Sequence, residues 1–103
     1  MPKSLAYFRG KVVPISDAKI SIMTHALHYG TAIFEGVRGN WNESEQTLYV
    51  FKLKEHYQRL LQGCKIMMMD IPYSVDELCD ITIDLLQQTK HEQDVYIRPI
   101  AYK

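Results

Sequence analysis

The feature that most constrains this chain is a change of period between Thr24 and Arg38, Thr-His-Ala-Leu-His-Tyr-Gly-Thr-Ala-Ile-Phe-Glu-Gly-Val-Arg. Thr24 to Tyr29 offers an N-cap-type residue followed by Ala26, Leu27 and two histidines, which suits a single helical turn. Gly30 ends it, because glycine takes the positive φ that closes a helix without the steric cost of a Cβ. From there the pattern alternates. Ala32, Phe34, Gly36 and Arg38 face one way, and Ile33, Glu35 and Val37 the other. One strand face thus carries a ring, a bare stretch of backbone and a guanidinium, successive members about 6.5 Å apart at about 3.3 Å of rise per residue. That is the scale of a small organic acid. Taken singly, a helix cap, a strand glycine at a bulge and a solvent-facing arginine are ordinary.

The rest of the chain frames this stretch. Leu5 to Phe8 and Lys11 to Val13, with Arg9-Gly10 between them and Pro14 after, predict a hairpin. Ile15 to Met23 alternates, Ile20 and Ile22 against Ser21 and Met23. Residues 39–46 are polar and rich in turn formers, and Thr47 to Phe51 has strand composition, which predicts a hairpin between residues 32–39 and 47–52. Leu53, Tyr57, Leu60, Leu61, Cys64, Met67 and Met68 recur at helical spacing. Gly63 inside that helix invites close packing, while Arg59 lies about 140° from the apolar centre, a solvated position by periodicity. Asp70-Ile71-Pro72 breaks the helix, and Ser74 with Glu77 has capping-box spacing. Leu78, Cys79, Thr82, Leu85 and Leu86 form the next buried face, and that helix is expected to fray through Gln87 to Gln93. A last strand, Val95 to Tyr102, places Tyr96, Arg98, Ile100 and Tyr102 on one face, with Pro99 making it an edge or kinked strand. The expected fold is α+β, a mainly antiparallel sheet covered on one face by two amphipathic helices.

At 103 residues, 47% hydrophobic and 23% charged, the chain is expected to form one soluble domain. Twelve basic and twelve acidic side chains cancel, so no long-range field favours nucleic acid or an anionic membrane. Residues 1–10 show no apolar run of signal-peptide length, and no stretch approaches a membrane span, which predicts a cytoplasmic location. Cys64 and Cys79 fall on apolar helix faces and read as buried reduced thiols. His25 and His28 have no nearby carboxylate or cysteine to complete a ligand set, so no metal is expected.

Arg38 and Arg98 each share a strand face with an aromatic residue, Phe34 and Tyr96. A guanidinium pairs with a carboxylate through two hydrogen bonds, so converging faces would hold a small carboxylate with an apolar tail. The alternative is that both arginines are neutralised by local acids such as Glu35 or Asp94.

The string His-Ala-Leu-His-Tyr-Gly-Thr-Ala-Ile-Phe-Glu-Gly-Val-Arg at 25–38, Phe-Lys-Leu-Lys-Glu-His-Tyr-Gln-Arg-Leu at 51–60 and Tyr-Ile-Arg-Pro-Ile at 96–100 resemble segments of branched-chain amino acid aminotransferases, fold-type IV enzymes that use pyridoxal 5'-phosphate. The resemblance covers nearly the whole chain. It implies transfer of the amino group between leucine, isoleucine or valine and 2-oxoglutarate, in a homodimer. It implies that Arg59 binds the cofactor phosphate, and that Tyr29, Phe34, Gly36, Arg38, Tyr96 and Arg98 line the substrate pocket. Phe34, Tyr29 and Tyr96 would enclose the aliphatic side chain, and Arg98 with the tyrosine hydroxyls would orient the carboxylate. The family's catalytic lysine, which holds the cofactor and moves the proton, has no counterpart among Lys3, Lys11, Lys19, Lys52, Lys54, Lys65, Lys90 and Lys103. These residues are therefore expected to form the N-terminal small domain, 1–103, without a catalytic residue of their own and inactive alone. Other fold-type IV enzymes, the D-amino acid aminotransferases and aminodeoxychorismate lyases, and a non-catalytic binding or dimerisation half-domain are the alternatives.

Overall fold

The computed structural model describes residues 4–103; Met1 to Lys3, part of the segment read as lacking a signal-peptide core, lie outside the described residues. Strands β1 (Leu5–Phe8) and β2 (Lys11–Pro14) form the expected hairpin, pairing Leu5 with Pro14 and Phe8 with Lys11. Its turn residues Arg9 and Gly10 both have positive φ, 52° and 82°, the handedness that matches the twist of the flanking strands. The alternation from Ile15 to Met23 does not become a strand. Ile15–Asp17 is a short 3-10 turn, and among the described residues no partner strand pairs with those after it. Alternation marks a strand only where one face is buried, and here Ile22 and Met23 are 79% and 76% exposed. Helix α1 (His25–Tyr29) closes at Gly30, whose φ of 68° lets its N–H reach the Ala26 carbonyl.

Each of the two long strands read from the sequence divides at its middle. The first becomes β3 (Ala32–Phe34) and β4 (Val37–Asn42); the second becomes β6 (Val95–Ile97) and β7 (Ile100–Tyr102). β3 pairs with β7, Phe34 opposite Ile100, and β4 with β6, Val37 opposite Ile97. One register therefore runs through both ladders, leaving Glu35 opposite Pro99 and Gly36 opposite Arg98 with no residue gained or lost. The Glu35 N–H donates to the Pro99 carbonyl at 3.1 Å. Proline has no N–H to return, so the ladder opens there and the ribbon divides.

The expected pairing of 32–39 with 47–52 is corrected accordingly. Of that stretch only Gly39 pairs with β5 (Thr47–Val50); the pairing continues through Asn40, Trp41 and Asn42, so the residues up to Asn42 are strand rather than loop. Asp94 holds the Trp41 N–H at 2.8 Å from the neighbouring chain segment, which extends the strand. The expected single sheet is thus three small sheets, β1–β2, β3–β7 and β5–β4–β6, all antiparallel.

Two helices cover the ribbon side that carries Ile33 and Val37. Helix α2 (Leu53–Ile66) buries Tyr57, Leu60 and Cys64, and Ile33, Leu78 and Ala101 pack around them. A Cβ on Gly63 would meet Ile33 Cγ2 at 3.0 Å, so the glycine lets helix and strand approach closely. The helix stops two residues short of the apolar pattern, which ran on to Met68. Met68 turns left-handed with φ of 57°, its N–H donates to the Lys65 carbonyl, and the Met69 N–H donates to Cys64. This is a Schellman closure with methionine where glycine is usual, and it leaves Met68 87% exposed instead of buried. Helix α3 (Val75–Thr89) starts with the expected capping box, the Glu77 N–H donating to Ser74 Oγ and the Ser74 N–H to Glu77 Oε1. It continues through Gln87 and Gln88 rather than fraying, ended by Lys90 in the left-handed conformation with Thr89 buried. Cys64 is buried and Cys79 half-buried, both free thiols whose pKa burial raises. Among the described residues no helix is long and apolar enough to cross a membrane.

Candidate functional site

The unbroken register assembles one exposed face from both halves of the ribbon. Arg38 lies opposite Tyr96, Gly36 opposite Arg98 and Phe34 opposite Ile100, and alternation points all six side-chain positions to the same side. Gly36 matters for what it lacks. A Cβ there would lie 2.7 Å from Tyr96 Cζ, so the tyrosine ring rests across bare backbone. Arg98 completes the cluster: its Cζ stands 4.5 Å from the Phe34 ring centre and 5.3 Å from that of Tyr96, and Nη2 donates to Tyr96 Oη at 3.1 Å. Phe34 and Tyr96 remain 58% and 63% exposed.

Neither local acid neutralises these arginines. Glu35 pairs with α2, and Asp94 accepts from the Trp41 backbone. Among the described residues Arg38 and Arg98 form no ion pair. The face therefore presents permanent positive charge framed by apolar rings, the complement of an anion with an aliphatic tail. Ile100, 57% exposed, extends the apolar wall; its place on the Tyr96 and Arg98 face was the signal that could have added it to the site.

Arg59 stands on the other side. Glu35 turns with Ile33 towards α2, where Arg59 donates from Nε to Oε2 at 3.0 Å and from Nη2 to Oε1 at 2.6 Å. His56 Nδ1 meets the same Oε1 at 2.7 Å. The Glu35 carboxyl is held down to about 2, chiefly by the Arg59 hydrogen bonds and further by His56, against the opposing effect of burial. An ionised carboxylate only accepts, so His56 Nδ1 carries the proton and the 3.4 Å approach of Arg59 Nη2 to that nitrogen is between two donors. Arg59 is 69% exposed, as periodicity indicated, yet it is anchored to an acid whose side chain is only 11% exposed. Sequence reasoning passed over Glu35 and His56 as site residues; the signal was a carboxylate at an inward strand position between Ile33 and Val37.

Tyr29 is 72% exposed and is not drawn into the cluster. Its ring lies against His25 at 4.4 Å, at the end of the ribbon where Ala26 N–H donates to the Lys103 carbonyl. His25 Nδ1 bonds Thr31 Oγ1, after α1, and His28 Nε2 donates to the Ile22 carbonyl, before it, so the two histidines tie down the segments on either side of α1. Among the described residues no three His, Cys, Asp or Glu side chains are grouped as a metal site would require.

Residues 32–103, which span this face and both long helices, match the amino-transferase class IV family. This chain belongs to the class IV aminotransferases. It is 55% identical to a probable branched-chain-amino-acid aminotransferase of Aquifex aeolicus (strain VF5), over 94% of this chain and 31% of that protein. It is 38% identical to the branched-chain-amino-acid aminotransferase of Escherichia coli (strain K12), over 93% of this chain and 30% of that protein. The fold is that of solved members. A branched-chain aminotransferase from Thermoproteus uzoniensis, crystallised with norvaline, superposes with a TM-score of 0.91 at 36% identity, over 97% of this chain and 33% of that one. One from Thermobaculum terrenum in its PLP form gives 0.86 at 34% identity, over 98% and 33%. The family is one of enzymes, and this chain spans about three tenths of the length of the curated relatives it matches.

Proposed function

We propose that the chain is the N-terminal small domain of a pyridoxal-phosphate-dependent branched-chain aminotransferase, supplying the substrate-recognition wall for leucine, isoleucine or valine and for 2-oxoglutarate. The observation that carries this reading is the Arg98 guanidinium, stacked on Phe34, bonded to Tyr96 and, among the described residues, free of any carboxylate. Arg98 and the Tyr96 hydroxyl bind the substrate carboxylate. Phe34 and Tyr96, joined by Tyr29, enclose the aliphatic side chain, Gly36 admits the Tyr96 ring, and Arg38 adds a second positive charge on the same face.

The residues present fit the cofactor's phosphate at one point. Side-on pairing with Glu35 uses Nε–H and one Nη2–H of Arg59, leaving its other three N–H groups for an anion on a side chain that is 69% exposed. When bound, pyridoxal phosphate supplies the electron sink for cleavage at the substrate α-carbon. Neither a lysine to move the proton nor an acid for the pyridine nitrogen is assigned to these 103 residues, so they are inactive alone. The working protein in this reading is a cytoplasmic homodimer.

The test is transamination by the purified complete gene product with pyridoxal phosphate and 2-oxoglutarate, comparing L-leucine and L-valine with D-alanine. Glutamate formation from the L-substrates is expected, together with none from the 103-residue polypeptide. A preference for D-alanine would overturn the branched-chain assignment, and sustained turnover by the 103 residues would overturn the division of labour.

A further inference from the structure

We propose that Glu35 is a positioning residue for the cofactor phosphate: it locks the Arg59 guanidinium side-on so that the free edge of the fork is presented to the anion, with His56 bracing the carboxylate. This rests on the reading of Arg59 as the phosphate anchor. Glu35 lies between β3 and β4 on the side that carries the apolar Ile33 and Val37, and it sits at the opening of the ladder, its backbone N–H tied to Pro99. Its two oxygens receive three hydrogen bonds, from Arg59 Nε, Arg59 Nη2 and His56 Nδ1. A long, exposed arginine otherwise samples many rotamers. A bidentate pair with Glu35, itself held by His56 nearly one turn earlier on the helix, removes that freedom before the ligand arrives.

Electrostatics alone makes the opposite demand, and this separates the two roles. A carboxylate beside a phosphate-binding arginine repels the phosphate, so if Glu35 acted only as a nearby charge, its neutralisation would tighten phosphate binding. If it positions Arg59, neutralisation loosens binding. Glutamine keeps one acceptor but turns an NH₂ donor on to Arg59 or His56, both already donors, and the fork is lost.

The experiment measures binding of pyridoxal phosphate and of pyridoxal, which lacks the phosphate, to the apo form of the complete gene product by absorbance titration. Wild type, Glu35→Gln, Arg59→Gln and the double variant are compared. The expected result is a five- to twenty-fold weaker affinity for pyridoxal phosphate in Glu35→Gln with unchanged pyridoxal affinity, and a double variant no weaker than Arg59→Gln alone. Equal or tighter pyridoxal phosphate binding by Glu35→Gln, while Arg59→Gln weakens it, overturns the role of Glu35 and leaves Arg59 as the anchor. Unchanged binding in Arg59→Gln overturns both. An equal loss for pyridoxal and its phosphate would mark Glu35 as merely structural and also sink the proposal. Should Glu35→Gln fail to fold, Glu35→Asp keeps the charge with a shorter reach, and the same phosphate-selective loss is expected of it; an unchanged phosphate selectivity there is the contrary result.

Discussion

The two faces of the β3–β4 and β6–β7 ribbon hold arginines in contrasting company. On the helix side Arg59 is matched to Glu35, beside a core of Tyr57, Leu60 and Cys64. On the open side Arg98 meets two aromatic rings and a tyrosine hydroxyl but, among the described residues, no acid, and its surroundings stay exposed. The same alternating backbone makes both. Charge that is compensated inside the chain stabilises structure and orients a side chain, whereas charge left uncompensated over apolar rings is available to an anion from outside. The difference separates what the domain needs to fold from what it offers to a ligand.

The largest expected effect tests the folding side. Leu60→Ala should cost roughly 3 kcal/mol in denaturant unfolding of the complete gene product, the usual range for emptying a buried leucine site. Phe34→Ala, on the open face, should cost less than about 1 kcal/mol. Equal costs would mean that Phe34 belongs to the core and the two faces are not functionally distinct.

Next in size is Gly36→Val. Its side chain would displace the Tyr96 ring, so kcat/KM should fall on the order of tenfold, about 1.4 kcal/mol of transition-state stabilisation. The same substitution made on a Tyr96→Ala background should add little, since the clash is gone. A full additional loss there would place the effect of Gly36 elsewhere. Ser74→Ala touches neither face: it removes the α3 cap and should cost about 1 kcal/mol of stability with unchanged substrate KM.

The smallest effect comes from pH. Glu35 titrates at about 2 when folded against an ordinary value of 4.5, so its pairing adds stability above 4.5 that fades as the pH falls towards 2. With Arg59 largely in solvent the contribution is screened and modest. Glu35→Gln should remove this component of acid sensitivity, while Arg98→Gln should leave it intact. Loss of it in Arg98→Gln would show that the two faces are electrostatically coupled.

Local chemistry was legible in the sequence. The Arg9-Gly10 turn, the Gly30 closure and the Ser74–Glu77 capping box each depend on residues a few positions apart, and the structure has all three. Alternation within each strand also made legible that Phe34 and Gly36 share one face and Tyr96 and Arg98 another, but that the two faces coincide depends on the register, since a slip of one residue would have turned them apart. What depended on distant partners was not legible. Pro99 opens the ladder at Glu35 only because register brings them together, and the Arg59–Glu35 pair joins a helix to a strand. Ile15 to Met23 carried a strand pattern with no surface to bury it against. Met68 lacked the glycine that announces a helix end, so the apolar spacing ran past the true stop.

The most direct test of the account is the kinetic behaviour of Arg98→Gln in the complete gene product, measured in both half-reactions with leucine and with 2-oxoglutarate. The open face as a carboxylate-binding wall predicts at least a tenfold drop in kcat/KM in one or both, with a thermal midpoint within about 2 °C of wild type, as for an exposed substitution. Undiminished kcat/KM in both half-reactions would contradict it, leaving the uncompensated guanidinium as a surface charge without a part in substrate recognition.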